Sequence, residues 1–235
     1  MRTIITALIL LVSFNVLAQD LDMFLKKTDA FLKQHVTDGK VAYSKIYENT
    51  SELDELIVFA KSIKVSESSP KKYQAFWINA YNIFVIKGIV DHYPIKSPLD
   101  KTGFFDKTKY NIGDKSVTLN DIENKLLRAK FSDPRFHFVL VCGAVGCPPL
   151  INNAYLPSTL NDQLDTQTKL ALNGDFIKVN TKRKRVSGSE ILKWYKEDFV
   201  QNGSEIDFIN TYREEKIPTD FKLSYFSYNW NLNKQ

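Results

Sequence analysis

The sequence predicts an α+β fold, in which helices and hairpins surround a mixed sheet. Three observations support this class. Residues 73–90 form a long apolar stretch, other segments repeat apolar residues at helical spacing, and short β-branched segments flank turn residues later in the chain. With 235 residues, 43% of them hydrophobic and 25% charged, the chain is long enough for one large domain. We therefore expect a single domain over residues 19–235 with a buried central helix.

The first eighteen residues have the pattern of a secretory signal peptide. Arg2 supplies a positive start, residues 4–17 are apolar, and Val16-Leu17-Ala18 offers a small-residue cleavage site. No later stretch has about 20 uninterrupted apolar residues, so we expect no transmembrane span. The sequence thus predicts a signal peptide over residues 1–18 and a periplasmic or secreted mature protein.

Three helices are predicted in the first part of the mature chain. Residues 21–36 are amphipathic, and a second helix begins near Ser51. Ser69-Pro70, a capping residue followed by a proline at the first helical position, opens the third helix, which continues to Val90. Because this third helix is apolar on nearly every side, it must be the central core helix.

Two asparagines lie one turn apart in this central helix. Asn79 and Asn82 fall about 60° apart on one side, and a buried amide without partners costs about 1 to 3 kcal/mol. In one interpretation they tie the helix to the backbone of a neighbouring loop. In the other they line a pocket and orient a ligand or a catalytic imidazole, with Trp77 and Tyr81 as further binding candidates.

The elements that follow the central helix are predicted from turn and cap signals. Thr118 with Asp121 resembles a capping box at the start of a further helix. The remaining predicted elements are hairpins at 110–118 and 176–187, helices at 158–174, 189–200 and 204–212, and a strand at 222–228.

The charge distribution argues against a nucleic-acid partner. The net charge is +5, and the basic residues are spread along the chain except for a run at residues 182–185. This run lies between two strand-like segments, so we interpret it as the solvated tip of a hairpin. We expect a small-molecule or peptide ligand instead, and the sequence leaves the oligomeric state open.

The segment before the two cysteines is predicted to be a buried strand. Phe136 to Cys142 is apolar, β-branched and aromatic, and it lies between Asp133-Pro134 and Gly143. His137 is therefore expected inside the protein. Cys147 follows in a loop, where a rigid scaffold commonly presents functional groups.

Two chemistries remain open at this loop. In the first, Cys147 is the nucleophile of a thiol-dependent hydrolase or acyl transferase acting on a peptide-like amide, with His137 or His92 as base. An asparagine of the central helix would orient the base, and the turn at residues 143–146 would offer N–H groups to an oxyanion. In the second, Cys142 and Cys147 form a disulfide in the wall of a non-catalytic binding domain.

A metal centre is the least favoured interpretation. A zinc ion would find only His137, Cys142 and Cys147 as ligands, with two of them diverging in a regular strand. We therefore predict no metal and no cofactor.

Several stretches of this chain form a recognisable set, which includes FWINAYN, DHYP, DPRFHF, WYKEDF and YNWNL. They cover residues 76–82, 91–94, 119–127, 133–138, 142–150, 194–199 and 228–232. In these stretches the chain resembles the family catalogued as domain of unknown function 547. The resemblance implies one domain over nearly the whole mature chain, and it implies no activity and no catalytic residues.

Overall fold

The first part of the chain folds into helices, as predicted. The computed structural model describes residues 20–235, so the predicted signal peptide lies outside the described residues. Helix α1 covers residues 20–35. It leads into the antiparallel strands β1 (Val36–Thr37) and β2 (Lys40–Val41), followed by helices α2 (Tyr43–Glu48) and α3 (Ser51–Ser62). The two-residue strands and the six-residue helix were not predicted, because such short elements show no clear periodicity.

Helix α4 (Pro70–Val90) is the core of the fold. Every residue from Ala75 to Ile86 is buried, which confirms the predicted buried central helix. The reason is its composition, since a helix that is apolar on all sides has no face to offer to water. None of the described helices has both the length and the apolar character that a membrane span requires.

A second hairpin and a distorted helix follow α4. Strands β3 (Tyr110–Ile112) and β4 (Lys115–Val117) pair in antiparallel fashion. The next helix begins as α5 (Leu119–Asp121), becomes a π-helix over Ile122–Arg128 and ends as α6 (Ala129–Phe131). The predicted capping box is confirmed, because Thr118 Oγ1 accepts from the Asp121 N–H at 3.0 Å and Asp121 accepts from the Thr118 N–H at 3.0 Å.

The predicted strand at residues 136–142 is wrong. The segment is a 3₁₀ helix over Pro134–Phe138, followed by irregular backbone up to the cysteine loop. Asp133 caps this short helix by accepting the Arg135 N–H at 3.0 Å. Farther along, the backbone groups that a neighbouring strand would pair are taken by the side chain of Asn82. His137 is nevertheless buried, as predicted.

A three-stranded mixed sheet lies in the second half of the chain. Helix α7 (Leu160–Asn173) precedes β5 (Ile177–Asn180) and β6 (Arg185–Ser189). Then come α8 (Glu190–Trp194), α9 (Lys196–Phe199), α10 (Glu205–Tyr212) and β7 (Lys222–Phe226). Strand β6 pairs antiparallel with β5 and parallel with β7, so the predicted α+β class with a mixed sheet is confirmed. The basic run 182–185 lies exposed at the β5–β6 turn.

Two hydrophobic cores meet near the carboxyl end of the chain. The larger core surrounds α4, and the smaller one fills the space between α7, the sheet and α8 to α10. Tyr228 packs against both cores. The junction between them is where the candidate site lies.

Candidate functional site

A cavity of about 200 Å³ opens beside the two cysteines. Aromatic side chains form most of its wall, with a few polar groups among them, which is the usual composition of a ligand site. The wall consists of Tyr81, Phe105, Asn120, Glu123, His137, Leu140, Cys142, Cys147, Ile191, Trp194, Tyr195, Tyr228 and Trp230.

The two cysteines are joined by a disulfide. The Cys142 and Cys147 sulfurs are 2.11 Å apart, and the Cα atoms are 6.2 Å apart. Tyr228 Oη lies 2.9 Å from Cys142 Sγ and 3.0 Å from Cys147 Sγ, and the Cys142 N–H donates to Cys147 Sγ at 3.0 Å. Burial raises the pKa of Tyr228, so its phenol keeps its proton and donates to the bridge. The predicted disulfide is thus present, and neither sulfur is a free thiol.

The loop between the cysteines is fixed by the carboxyl-terminal segment. The Val145 N–H donates to the Asn231 carbonyl at 2.7 Å, and the Gly146 N–H donates to the Asn229 carbonyl at 2.8 Å. A Cβ atom at Gly146 would lie 2.9 Å from the Tyr228 ring, so only glycine allows this close approach. The expectation that this turn offers N–H groups to an oxyanion is wrong for these two amides, because both are already bonded.

His137 belongs to a charged group at the rear of the cavity wall. Its Nε2 lies 2.7 Å from Asp198 Oδ2, and Arg128 Nε donates to the same oxygen at 2.7 Å. The hydrogen bond from His137, followed by that from Arg128, holds the pKa of Asp198 well below its usual range. Because an ionised carboxylate can only accept, His137 carries a proton on Nε2. This leaves Nδ1 as the nitrogen available for other chemistry.

Tyr195 holds this charged group from the other side. Its ring stacks on the His137 imidazole at a centroid distance of 4.0 Å, and the Arg128 guanidinium lies 4.7 Å from the ring centre. Asp198 and Tyr195 lie about sixty residues along the chain from His137, so local sequence patterns do not connect them. Their only earlier signal is the WYKEDF stretch, which contains both.

The two asparagines of α4 bind backbone groups on either side of the cysteine loop. Asn82 donates to the Val139 carbonyl and accepts the Val141 N–H, both at 2.9 Å. Asn79 donates to the Tyr155 carbonyl at 2.8 Å and accepts the Tyr155 N–H at 3.0 Å. The interpretation that these amides tie the helix to a neighbouring loop is confirmed.

The structure brings together some of the predicted site residues and separates others. Cys142, Cys147, His137 and Tyr81 all line the cavity. Trp77 is buried in the core against Tyr73 and Phe76, and it is not part of the wall.

His92 is also absent from the cavity wall. It lies at the end of α4, where its Nδ1 is 2.8 Å from the Gly88 carbonyl oxygen. Of the two histidines considered as a base, His137 is therefore the one at the cavity.

Sequence reasoning missed much of the aromatic wall and its carboxylate. Trp194, Tyr228 and Trp230 come from α8 and the carboxyl-terminal segment, and Glu123 comes from the π-helix. No spacing in the sequence links these segments. An aromatic-rich terminus was visible, but its contact with the cysteine loop was not.

The side chains at the cavity do not form a set of ligands that suits a metal ion. Within residues 20–235, no three His, Cys, Asp or Glu side chains are grouped so that they could hold one. The zinc interpretation required thiolates from both cysteines, and the bridge removes them.

The family comparison covers the middle of the chain. Residues 65–170 match the family model described as Protein of unknown function, DUF547, which confirms the predicted resemblance over this range. The matched segment includes α4, the π-helix and the cysteine loop, whereas the WYKEDF and YNWNL stretches lie beyond it. No curated protein and no solved structure matches the chain.

Proposed function

We propose that this DUF547-like chain is a binding domain for a small organic molecule or a peptide-like segment. The observation that carries the proposal is the Cys142–Cys147 bridge in the wall of an aromatic cavity. A bridged sulfur has no thiolate to attack a substrate, while the bridge fixes the wall for binding. The non-catalytic alternative raised by the sequence is therefore the better supported one.

The aromatic rings at the mouth of the cavity supply contact area. Trp194 is 46% exposed, although its ring lies 5.0 Å from that of Tyr228 and 6.0 Å from that of Trp230. Burying apolar surface contributes roughly 25 cal/mol per Å². An indole held by two neighbouring rings loses little freedom when a ligand covers it, so we expect Trp194 to be a main contact.

The proposal places the mature domain in the periplasm or outside the cell. Disulfides persist in oxidising compartments and are rare where thioredoxin and glutathione keep thiols reduced. The bridge and the predicted signal peptide support the same compartment independently.

The indole N–H signals in a ¹H–¹⁵N NMR spectrum test the proposal. The chain has three tryptophans, of which Trp194 and Trp230 line the cavity and Trp77 is buried in the core. Titration with phenylacetamide, a ring joined to an amide, should shift the Trp194 and Trp230 signals and leave Trp77 unchanged. The absence of shifts at the two cavity residues would contradict the proposal.

A second candidate function is a thiol-dependent hydrolase that is active only after the bridge is reduced. It is favoured by the position of Cys147, which lies in the same cavity wall as the His137–Asp198 pair. A dithiol reductant would break the S–S bond and be oxidised to its own disulfide, releasing two thiols. His137 Nδ1 would then accept the Cys147 proton, and the Cys142 N–H and the Tyr228 hydroxyl would stabilise the thiolate.

Alkylation after reduction tests this second candidate. In the reduced protein at neutral pH, iodoacetamide should label Cys147 faster than Cys142, and replacing His137 by Gln should slow the labelling of Cys147. Replacing His92 by Gln is the matched control, because that imidazole lies outside the cavity wall. Equal labelling of the two cysteines would exclude an activated thiol.

A further inference from the structure

We propose that the group bound in this cavity is a cationic amine and that Glu123 is its counter-ion. The inference rests on the proposed binding function and adds the chemical class of the ligand. Glu123 lines the cavity, and within residues 20–235 no lysine, arginine or histidine forms an ion pair with it. A carboxylate in an aromatic wall without a cationic partner favours a ligand that brings the positive charge.

The charged groups next to the cavity, which contact its His137 and Tyr195, are paired with one another. Arg128 Nε donates to Asp198, and a nitrogen of the same guanidinium donates to Asn124. His137 donates to Asp198 as well. Glu123 is the carboxylate of the cavity wall that forms no ion pair within the described residues.

Three tyrosines line the cavity together with this carboxylate without adding charge. Burial, followed by the negative charge of Glu123, raises the pKa of Tyr81, Tyr195 and Tyr228. Their phenols therefore stay neutral at physiological pH and keep intact hydroxyl donors. All three phenols line the same cavity as Glu123.

Aromatic faces favour the same kind of ligand. A cation within about 6 Å of a ring centroid is attracted by the negative face of the ring, most strongly for tryptophan. The rings of Trp194, Tyr228 and Trp230 form one cluster, with centroids 4.7 to 6.0 Å apart, in the wall that also contains Glu123. A carboxylate on the ligand would be repelled by Glu123, and a neutral group would gain from neither feature.

The backbone that presents Glu123 is itself unusual. Glu123 and Arg128 both lie on the π-helix Ile122–Arg128, five residues apart. π-helical segments are rare and occur often at functional sites, since they redirect side chains that a regular helix would place elsewhere. Here the segment brings one carboxylate to the cavity while its arginine is engaged by Asp198 on α9.

Three probes that share one aromatic ring separate the effect of ligand charge on affinity from the effect of the ring. Benzylammonium, benzyl alcohol and phenylacetate share the ring and differ in charge. Their dissociation constants can be measured from the Trp194 and Trp230 indole signals in the oxidised protein. Benzylammonium should bind about tenfold more tightly than benzyl alcohol, and phenylacetate should bind most weakly.

The variant Glu123→Gln tests the role of the carboxylate. It should reduce the preference for benzylammonium over benzyl alcohol to about twofold or less. Glu197→Gln is the matched control, since it removes the same charge from an exposed position on α9. This control should retain the full preference.

The outcomes distinguish this inference from the proposed function. If benzyl alcohol or phenylacetate binds the wild-type protein as tightly as benzylammonium, the preference for a cation is refuted while the binding site stands. If none of the three probes moves the cavity signals, both proposals fail. The comparison in the wild-type protein needs no variant, so it decides the question even if Glu123→Gln does not fold.

Discussion

Replacing Asn82 by leucine should destabilise the protein strongly, because the amide satisfies two buried backbone groups. Leucine has a similar size but can neither donate to the Val139 carbonyl nor accept the Val141 N–H. A buried backbone group left without a partner costs about 1 to 3 kcal/mol. Two such groups give an expected loss of about 2 to 6 kcal/mol in the free energy of unfolding.

Urea unfolding of the oxidised protein, followed by tryptophan fluorescence, measures this loss. Asn161→Leu is the matched control, since Asn161 lies exposed on α7, and it should change the free energy of unfolding by less than about 0.5 kcal/mol. An Asn82→Leu variant as stable as the wild-type protein would refute the reasoning. It would mean that the amide does not hold the cysteine loop.

Three further predictions concern the bridge, the half-buried Asp198 carboxylate and the exposed indole. Replacing both Cys142 and Cys147 by serine should lower the free energy of unfolding by about 2 kcal/mol, the loop-entropy estimate for so short a ring, and a reductant should then have no further effect in the urea assay. Asp198 has a lowered pKa in the folded state, so its contribution to stability is complete above pH about 4 and is lost as the pH falls further. Urea unfolding should therefore show a smaller loss of stability between pH 4 and pH 2 for Asp198→Asn than for the wild-type protein, and parallel pH profiles would count against the pairing. Trp194→Ala should weaken benzyl alcohol binding about five- to tenfold, as measured at the Trp230 signal, and an unchanged affinity would remove Trp194 from the site.

Much of the fold could be predicted because its signals are local. The uniform apolar character of α4, the Ser69-Pro70 start and the capping box at Thr118 each depend on a few neighbouring residues. The segment at residues 136–142 was predicted wrongly because its conformation depends on a contact that is distant in the sequence. Its β-branched composition favours a strand. Its backbone groups, however, form hydrogen bonds with the side chain of Asn82, nearly sixty residues earlier in the chain, and not with a neighbouring strand.

The candidate site was predictable only in its parts that lie near the cysteines. His137 and Cys147 stood out as reactive residue types in an apolar context, and Tyr81 lay on the helix already identified as central. Asp198 and Glu123 are ordinary surface residue types in the sequence. Only tertiary contacts bring Glu123, on the π-helix, to the cavity wall and Asp198, on α9, to His137.

The oxidation state of Cys142 and Cys147 decides between a binding domain and a thiol-dependent enzyme. The protein should be isolated without reductant, denatured, and titrated for free thiols. We predict no free thiol, because Cys142 and Cys147 are bridged in the wall of a binding cavity. Two free thiols per chain would contradict the binding-domain proposal and favour a thiol-dependent enzyme.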